Sequence, residues 1–365
     1  MMVWPVNDDT KIIAEISRKV LIIGPDYKDH RGGIGAVLSV YSKYFEVFKF
    51  ICTHRSASIL LRIFIFFISL LKLLLKLLTD RQVRIIHIHG ASYGSFYRKF
   101  IVFIICKTFR KKIIYHIHGG EYDLFIGRSG IISNKMIRYM IENSDYLIAL
   151  SMSWKIFFES NFTVKEITIL PNIIEPPLRK VQARTTSKIK FLFLGRIGDG
   201  KGIYDLIEVI QKRKNYYLDH MELYVGGDGE SEVLSDLVRK YGLSEIVTYK
   251  GWIKGKEKNS LLNDADIFIL PSYNEGLPIS ILEAMSYNKP VISTKVGGIP
   301  EIVKNHVNGI LINPGDHREL ENAIDFFITK PWFIELYGNA SMEIVKDYFP
   351  QAVIPRIEKI YNLLL

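Results

Sequence analysis

Two carboxylates, Glu275 and Glu283, stand eight positions apart in "NEGLPISILEAM", around a Gly-Leu-Pro step and directly after the apolar run "ADIFIL". If that run is a buried strand, Pro278 takes an early position of the following helix, where its missing N–H costs little. Glu275 then lies in the loop leading into the helix, with Glu283 about a turn and a half inside it. Free backbone N–H groups at such a helix start, near Gly276 and Leu277, make a ready anion site. Carboxylates would repel a phosphate placed there, so these two suit neutral hydroxyls beside it. A ligand with both a pyrophosphate and sugar hydroxyls meets both demands, and a nucleotide sugar is such a ligand. For an isolated pair, capping plus a solvated helix face is the plainer account.

The pair is not isolated. "FLFLGRIGDGKGIYDLIEVI" (191 to 210) supplies a strand, a glycine-rich turn carrying Arg196 and Lys201, and a helix. Backbone at Gly195, Gly200 and Gly202 can approach phosphates closely, and the two cations can neutralise a diphosphate leaving group without a metal. The same stretch nearly spells a P-loop, but Gly202 stands where a Ser or Thr would hold Mg²⁺. Asp264-Ala265-Asp266 could hold a divalent ion, yet it immediately precedes "IFIL" and reads as a helix-to-strand connection. "RGGIG" (31 to 35) lacks the spacing of a dinucleotide fingerprint. Gly33 there suits either a backbone closing over phosphate or a plain turn. "HIHG" occurs at 87 to 90 and again at 116 to 119, each time ending a strand. Residues two apart share a strand face, so His87 with His89 and His116 with His118 could gather a metal; hydrogen-bonded core imidazoles account for them equally simply, and no metal site is expected. His118, followed by "GGEYD", is the better candidate to face a ligand.

The elements that must position these residues recur along the chain. "KVLIIG", "RIIHIHG", "KIIYHIHGG" and "DYLIAL" are followed by "KIKFLFLG", "MELYVGG", "VTYKG", "ADIFILPS" and "PVIST", with helical patterns between them. That alternation predicts α/β architecture with parallel sheets, and it appears twice. A Pro-bearing, basic stretch places a linker at 176 to 186. Parallel sheets bind ligands at the carboxyl ends of their strands, so two such domains are expected to face a central cleft. A chain of 365 residues with 48% hydrophobic content can fill two cores. Two cysteines inside apolar runs exclude a disulfide framework and favour a reducing compartment. The first twenty residues lack the apolar core of a signal peptide.

Charge is uneven. Residues 1 to 180 hold 26 Lys+Arg against 14 Asp+Glu, a formal +12, while the remainder is −2. "LLRIFIFFISLLKLLLKLL" (60 to 78) has a longest charge-free stretch of nine residues, about half the roughly 20 a spanning helix needs. On a helical wheel Arg62, Ser69, Lys72, Lys76 and Thr79 share one arc. Two readings stand: a core helix with a narrow solvent stripe, or a helix lying on anionic lipid.

With these residues assembled, the C-terminal half resembles the family-4 retaining glycosyltransferases with the GT-B fold, of the bacterial surface-polysaccharide type. "GRIGDGKG", "YVGGDGE", "YKGWI", "ADIFILPSYNEGLPISILEAMSYNKPVIST", "VGGIPEIV" and "NGILINPGD" follow in family order, and "RGGIG", "HIHGGEYD" and "LPN" with Asn172 match more briefly. Asn288 departs from a usual glycine. The resemblance implies two Rossmann-like doubly wound domains, an acceptor-binding one over 1–178 and a nucleotide-sugar-binding one over 179–345, with 346–365 a helix crossing back to the first. It implies that Arg196 and Lys201 bind the donor diphosphate, Glu283 the ribose and Glu275 the donor sugar, with Asn274, Gly276, Leu277 and Pro278 closing around them. Trp252 and Ile253 would border the base, Gly195, Gly227 and Gly229 would line the pocket, His118 would contact the transferred sugar, and Gly33 would lie near the phosphates. The implied activity is retaining, metal-independent transfer of a hexose from a nucleotide sugar to a lipid-linked oligosaccharide in lipopolysaccharide or related synthesis, with no cofactor. The expected place is the cytoplasm, at the inner membrane face, in contact with anionic lipid and not nucleic acid. A P-loop-like NTPase and a non-catalytic nucleotide-sugar-binding module are the rival classes.

Overall fold

The computed structural model describes residues 10–29, 32–177 and 188–365. Within them lie two compact units, Pro176–Asp347 and Pro5–Glu175 with Tyr348–Leu365. The expected linker falls, from residue 178 onward, outside the described residues, as does Arg31 of the glycine turn.

One unit holds β1 (Val20–Gly24), β2 (Phe50–Cys52), β3 (Ile85–Gly90), β4 (Lys112–Ile117), β5 (Tyr146–Ala149) and β6 (Ile167–Ile169), in the spatial order β2-β1-β3-β4-β5-β6. The other holds β7 (Ile189–Leu194), β8 (Met221–Gly226), β9 (Val247–Tyr249), β10 (Ile267–Leu270), β11 (Val291–Thr294) and β12 (Gly309–Ile312), in the order β12-β11-β10-β7-β8-β9. Every pairing is parallel. The central strands are near-continuous runs of Ile, Leu, Val and Phe, buried throughout in β1, β3, β10 and β11. Parallel sheets demand this, because crossover helices cover both faces. All nine strands read from the sequence are present; β2, β6 and β12, each at a sheet edge, are additional.

Each sheet reverses its direction of winding once. In the first sheet this happens between β1 and β3, in the second between β7 and β10. Loops leaving two neighbouring strands diverge at such a point and open a crevice at their carboxyl ends. The turn after β7 and the loop after β10 therefore share one crevice. The helix Pro350–Leu364 packs with the first sheet's unit, where Arg356 Nη2 donates to the Ile169 carbonyl at 2.9 Å and Tyr361 Oη meets His87 Nδ1 at 2.8 Å.

The apolar helix spans Ile59–Thr79 and does not behave as a core helix, since only Ser69, Leu73 and Leu77 are buried. Leu60 is 80% exposed, Phe64 61% and Leu75 62%. The wheel's polar arc is only in part a solvent stripe: Arg62, Lys72 and Thr79 are exposed. Ser69 is enclosed, its Oγ donating to the Phe66 carbonyl at 2.6 Å, and Lys76 is tied to Asp80 at 2.9 Å. Part of the polar arc turns inward and the apolar face outward. Among the described residues no helix is long and apolar enough to cross a membrane.

Candidate functional site

Most of the residues singled out by the sequence lie on the loops and helix starts that follow the strands of the second sheet. β7 ends at Leu194, and Gly195 to Lys201 form a turn closed by a 3₁₀ segment, Asp199–Lys201, before the helix Ile203–Lys212. β10 ends at Leu270, and residues 271 to 278 lead into the helix Ile279–Ser286. The two loops are stitched together: the Tyr273 N–H donates to the Gly200 carbonyl at 3.1 Å. Gly202 lies at φ +67, and a Cβ there would overlap the Pro271 carbonyl oxygen. Only glycine fits this position, on both counts. Gly202→Ser, the change that would complete a P-loop, is expected to destabilise the unit by at least about 2 kcal/mol, left-handed strain and overlap adding. An unchanged thermal midpoint for that variant would refute the strain.

Across this seam Lys201 Nζ meets Glu275 Oε1 at 2.6 Å, and Ser272 Oγ donates to the same oxygen at 3.0 Å. Glu275 is only 9% exposed while Lys201 remains accessible. The loop carrying Glu275 is pinned from behind, since Gly276 accepts from the Gly298 N–H at 2.8 Å. Gly276, Leu277 and Pro278 are buried and Asn274 is partly open. Pro278 serves as the cap, with ψ 120, so helical geometry starts one residue later than the sequence suggests. Glu283 does not join Glu275; it pairs with Lys258 at 2.5 Å. Arg196 is exposed, its stem lying against the place a Gly229 side chain would occupy.

Gly227, at the end of β8, donates to the Gly251 carbonyl at 2.8 Å and accepts from Tyr249 Oη at 2.8 Å. At φ +158 a side chain there would strike the Gly195 carbonyl. The β7 and β8 loops thereby approach closely, with bare backbone facing the crevice. Trp252 is 37% exposed beyond β9, whereas Ile253 is buried and would abut any side chain at Gly226. Of that pair, Trp252 has the ring open to a flat ligand. Asp266 Oδ2 accepts from the Lys190 N–H at 2.8 Å, so the Asp264-Ala265-Asp266 run joins helix to strand as its position suggested.

In the other unit Gly33 opens the helix Gly33–Tyr41 and is exposed. The two "HIHG" runs lie on neighbouring strands, His89 in register with His116. His87, His89 and His116 are fully buried, with one ring nitrogen from each lying within 4.8 Å of the others. Burial, then the His118 imidazole, lowers His87 to about 3; burial and neighbouring imidazoles hold His89 and His116 well below the ordinary range. His118 ends the row on its accessible side. Its Nε2 meets His89 Nδ1 at 2.9 Å, and its Nδ1 meets Asn172 Oδ1 at 3.2 Å. Burial brings it to about 4, partly opposed by the Asn172 hydrogen bond. The ring is thus neutral with both nitrogens engaged, which leaves the backbone beside it as the group open to hydrogen bonding.

The sequence missed Ser272 and Lys258 as partners of the two glutamates. Ser272 stood in plain view three residues before Glu275, but Lys258 sits in an ordinary polar helix, Gly255–Asp264, with nothing to mark it.

Residues 175–343 match the family described as Glycosyl transferases group 1, and residues 41–176 match that described as Glycosyltransferase Family 4. A relative from Escherichia coli K12 named for colanic acid biosynthesis, WcaL, is 30% identical over 155 residues, covering 41% of this chain and 38% of its own. A glycosyltransferase of Methanocaldococcus jannaschii is 29% identical over 174 residues, 47% of this chain and 44% of its own. The chain therefore spans less than half the length of these two relatives. Sucrose-phosphate synthase from Thermosynechococcus elongatus superposes with a TM-score of 0.79 at 17% identity, over 95% of this chain and 99% of that one. HepE from Anabaena, solved with UDP-glucose, gives 0.74 at 17% identity over 95% and 100%. Matched in chain order by those two families, and sharing the GT-B fold with these structures, the chain belongs to the group 1 glycosyltransferases of family 4.

Proposed function

We propose that the protein is a retaining glycosyltransferase, moving a hexose-type sugar from a nucleoside-diphosphate sugar to a hydroxyl of a lipid-linked oligosaccharide in cell-surface polysaccharide synthesis. The observation that carries this reading is the Lys201–Glu275 contact at 2.6 Å, which sets a cation and a hydroxyl-reading carboxylate side by side before the start of the helix Ile279–Ser286. A diphosphate seated there meets Lys201, Arg196 and backbone N–H groups, all stabilising the charge that develops as the sugar departs. Glu275 then reads the sugar, Glu283 the ribose, and Trp252 stacks on the base. A phosphate oxygen of the leaving group takes the acceptor's proton on the face it vacates, so configuration is kept and neither a metal nor a separate general base is required. The UDP-glucose in HepE and the name of WcaL support the donor class and the pathway class. The exposed apolar face of Ile59–Thr79 and the +12 charge of residues 1 to 180 support contact with the anionic inner face of the membrane.

A metal-free panel of UDP-, GDP- and ADP-sugars should give one donor-dependent thermal shift. Glu283→Ala should raise that donor's KM by about tenfold to a hundredfold, the range for losing hydrogen bonds to a charged group. No shift with any of the sugars would defeat the reading. Binding without turnover on lipid-linked acceptors would favour the non-catalytic module.

A further inference from the structure

The helix Ile59–Thr79 leaves a groove of about 450 Å³ between itself and the edge strand β2, within the roughly 300–1,000 Å³ of small-molecule sites. One wall is aromatic: Tyr27 sits edge-on to Phe50 at 4.9 Å, and Phe48 stacks on Phe50 at 5.8 Å. The opposite wall is Phe64 and Ile68 of the helix. Lys28, Arg55 and Lys72 also line it. Asp26, the one carboxylate among the lining residues, is taken by Arg55 Nε at 3.1 Å. Among the described residues neither Lys28 nor Lys72 is paired with a carboxylate, so the groove carries net positive charge beside its aromatic and aliphatic walls.

The turning of the helix explains this composition. Ser69 and Lys72, from its polar arc, face the groove, while Ile63, Phe67, Leu71 and Leu75 are exposed. An uncharged sugar would have no use for two free ammonium groups beside phenyl rings. An amphiphile with an anionic head uses both, the chain gaining from burial and the head from charge-assisted hydrogen bonds.

We propose that this groove binds a single-chain lipid phosphate, its hydrocarbon lying on Tyr27, Phe50, Phe64 and Ile68 and its phosphate held by Lys28, Arg55 and Lys72. The site deepens the reading above, resting on it only in that the ligand is then the carrier end of the lipid-linked acceptor. Binding itself is independent of the donor site.

Cys52 lines the same groove and reports its occupancy. The chain has two cysteines, and the other, Cys106, is fully buried, with burial pushing its thiol up to about 12, so it stays unreactive. Decyl phosphate below its micelle concentration should slow maleimide labelling of Cys52 at least tenfold. Inorganic phosphate and decyl maltoside at the same concentration should slow it less than twofold. The double variant Lys28→Glu with Lys72→Glu, scored against its own ligand-free labelling rate, should lose the protection. Equal protection by decyl maltoside or by phosphate alone, or protection that survives the charge reversal, overturns the proposal. Both chains should give the same donor-dependent thermal shift; if neither does while protection holds, the donor reading fails and this site stands.

Discussion

Lys201→Ala is expected to lower kcat by about 10²- to 10³-fold, the magnitude seen when one preorganised group facing developing negative charge is removed. The geometry adds a complication that the measurement must separate. Lys201 also neutralises Glu275, which is 9% exposed and otherwise accepts from Ser272. Removing one member of an enclosed ion pair leaves the other less well compensated, which destabilises by up to several kcal/mol in a fully buried setting and by less here, where Lys201 is accessible. The single variant should therefore lose both turnover and some thermal stability. Adding Glu275→Gln removes that carboxylate charge while keeping an oxygen for Ser272. The double variant should regain the melting temperature and stay inactive. Recovery of turnover along with stability would mean that Lys201 acts only on Glu275 and never on the donor. Glu275→Gln alone should keep the fold and raise the donor's KM about tenfold or more, as expected if its carboxylate accepts from sugar hydroxyls as proposed.

What the sequence disclosed follows from where its constraints are local. Gly202 and Gly227 are dictated by positive φ and by a carbonyl oxygen where a side chain would go, so a glycine pattern is visible wherever two loops must nearly touch. Central strands are apolar on both faces, so all eight announce themselves as runs, and the edge strand β9 is legible with them. The edge strands β2, β6 and β12 do not: three or four residues carry too little pattern, and "FIC" and "ITI" are in addition only partly buried. The helix Ile59–Thr79 was legible as a helix, but its rotation was not. Periodicity defines a polar arc and an apolar arc; which one faces the protein depends on what waits there, in this case a groove with its own cations. The Glu283–Lys258 pair was hidden for a similar reason, two helices meeting across 25 residues of chain.

Lowering the pH from 7.5 to 5.5 is expected to destabilise the unit Pro5–Glu175 with Tyr348–Leu365 by at least about 4 kcal/mol, that much through three fully buried imidazoles and more through His54 and His118. His87 titrates at about 3 in the folded protein, and His89 and His116 well below the ordinary value, because burial and neighbouring imidazoles disfavour the charged ring. Unfolded, each would titrate near 6.5. The unfolded chain thus binds more protons below 6.5, so stability is full above that value and falls as pH drops toward the folded pKa values. At pH 5.5 each ring contributes about 1.4 kcal/mol of that loss. Three together approach the lower end of the whole stability of a domain, about 5–15 kcal/mol, and correspond to a midpoint shift on the order of 10 °C. His220, His306 and His317 of the other unit are not enclosed in this way, and its transition should move far less. Calorimetry at pH 5.5 in two buffers of different ionisation enthalpy reads the proton uptake directly. Close to three protons or more should be taken up on unfolding, His54 and His118, each lowered to about 4 chiefly by burial, adding to the count. A midpoint unmoved between the two pH values, with uptake below one proton, would show that the row of histidines is already charged or already open to water, and the neutral, fully engaged His118 ring at its end would go with it.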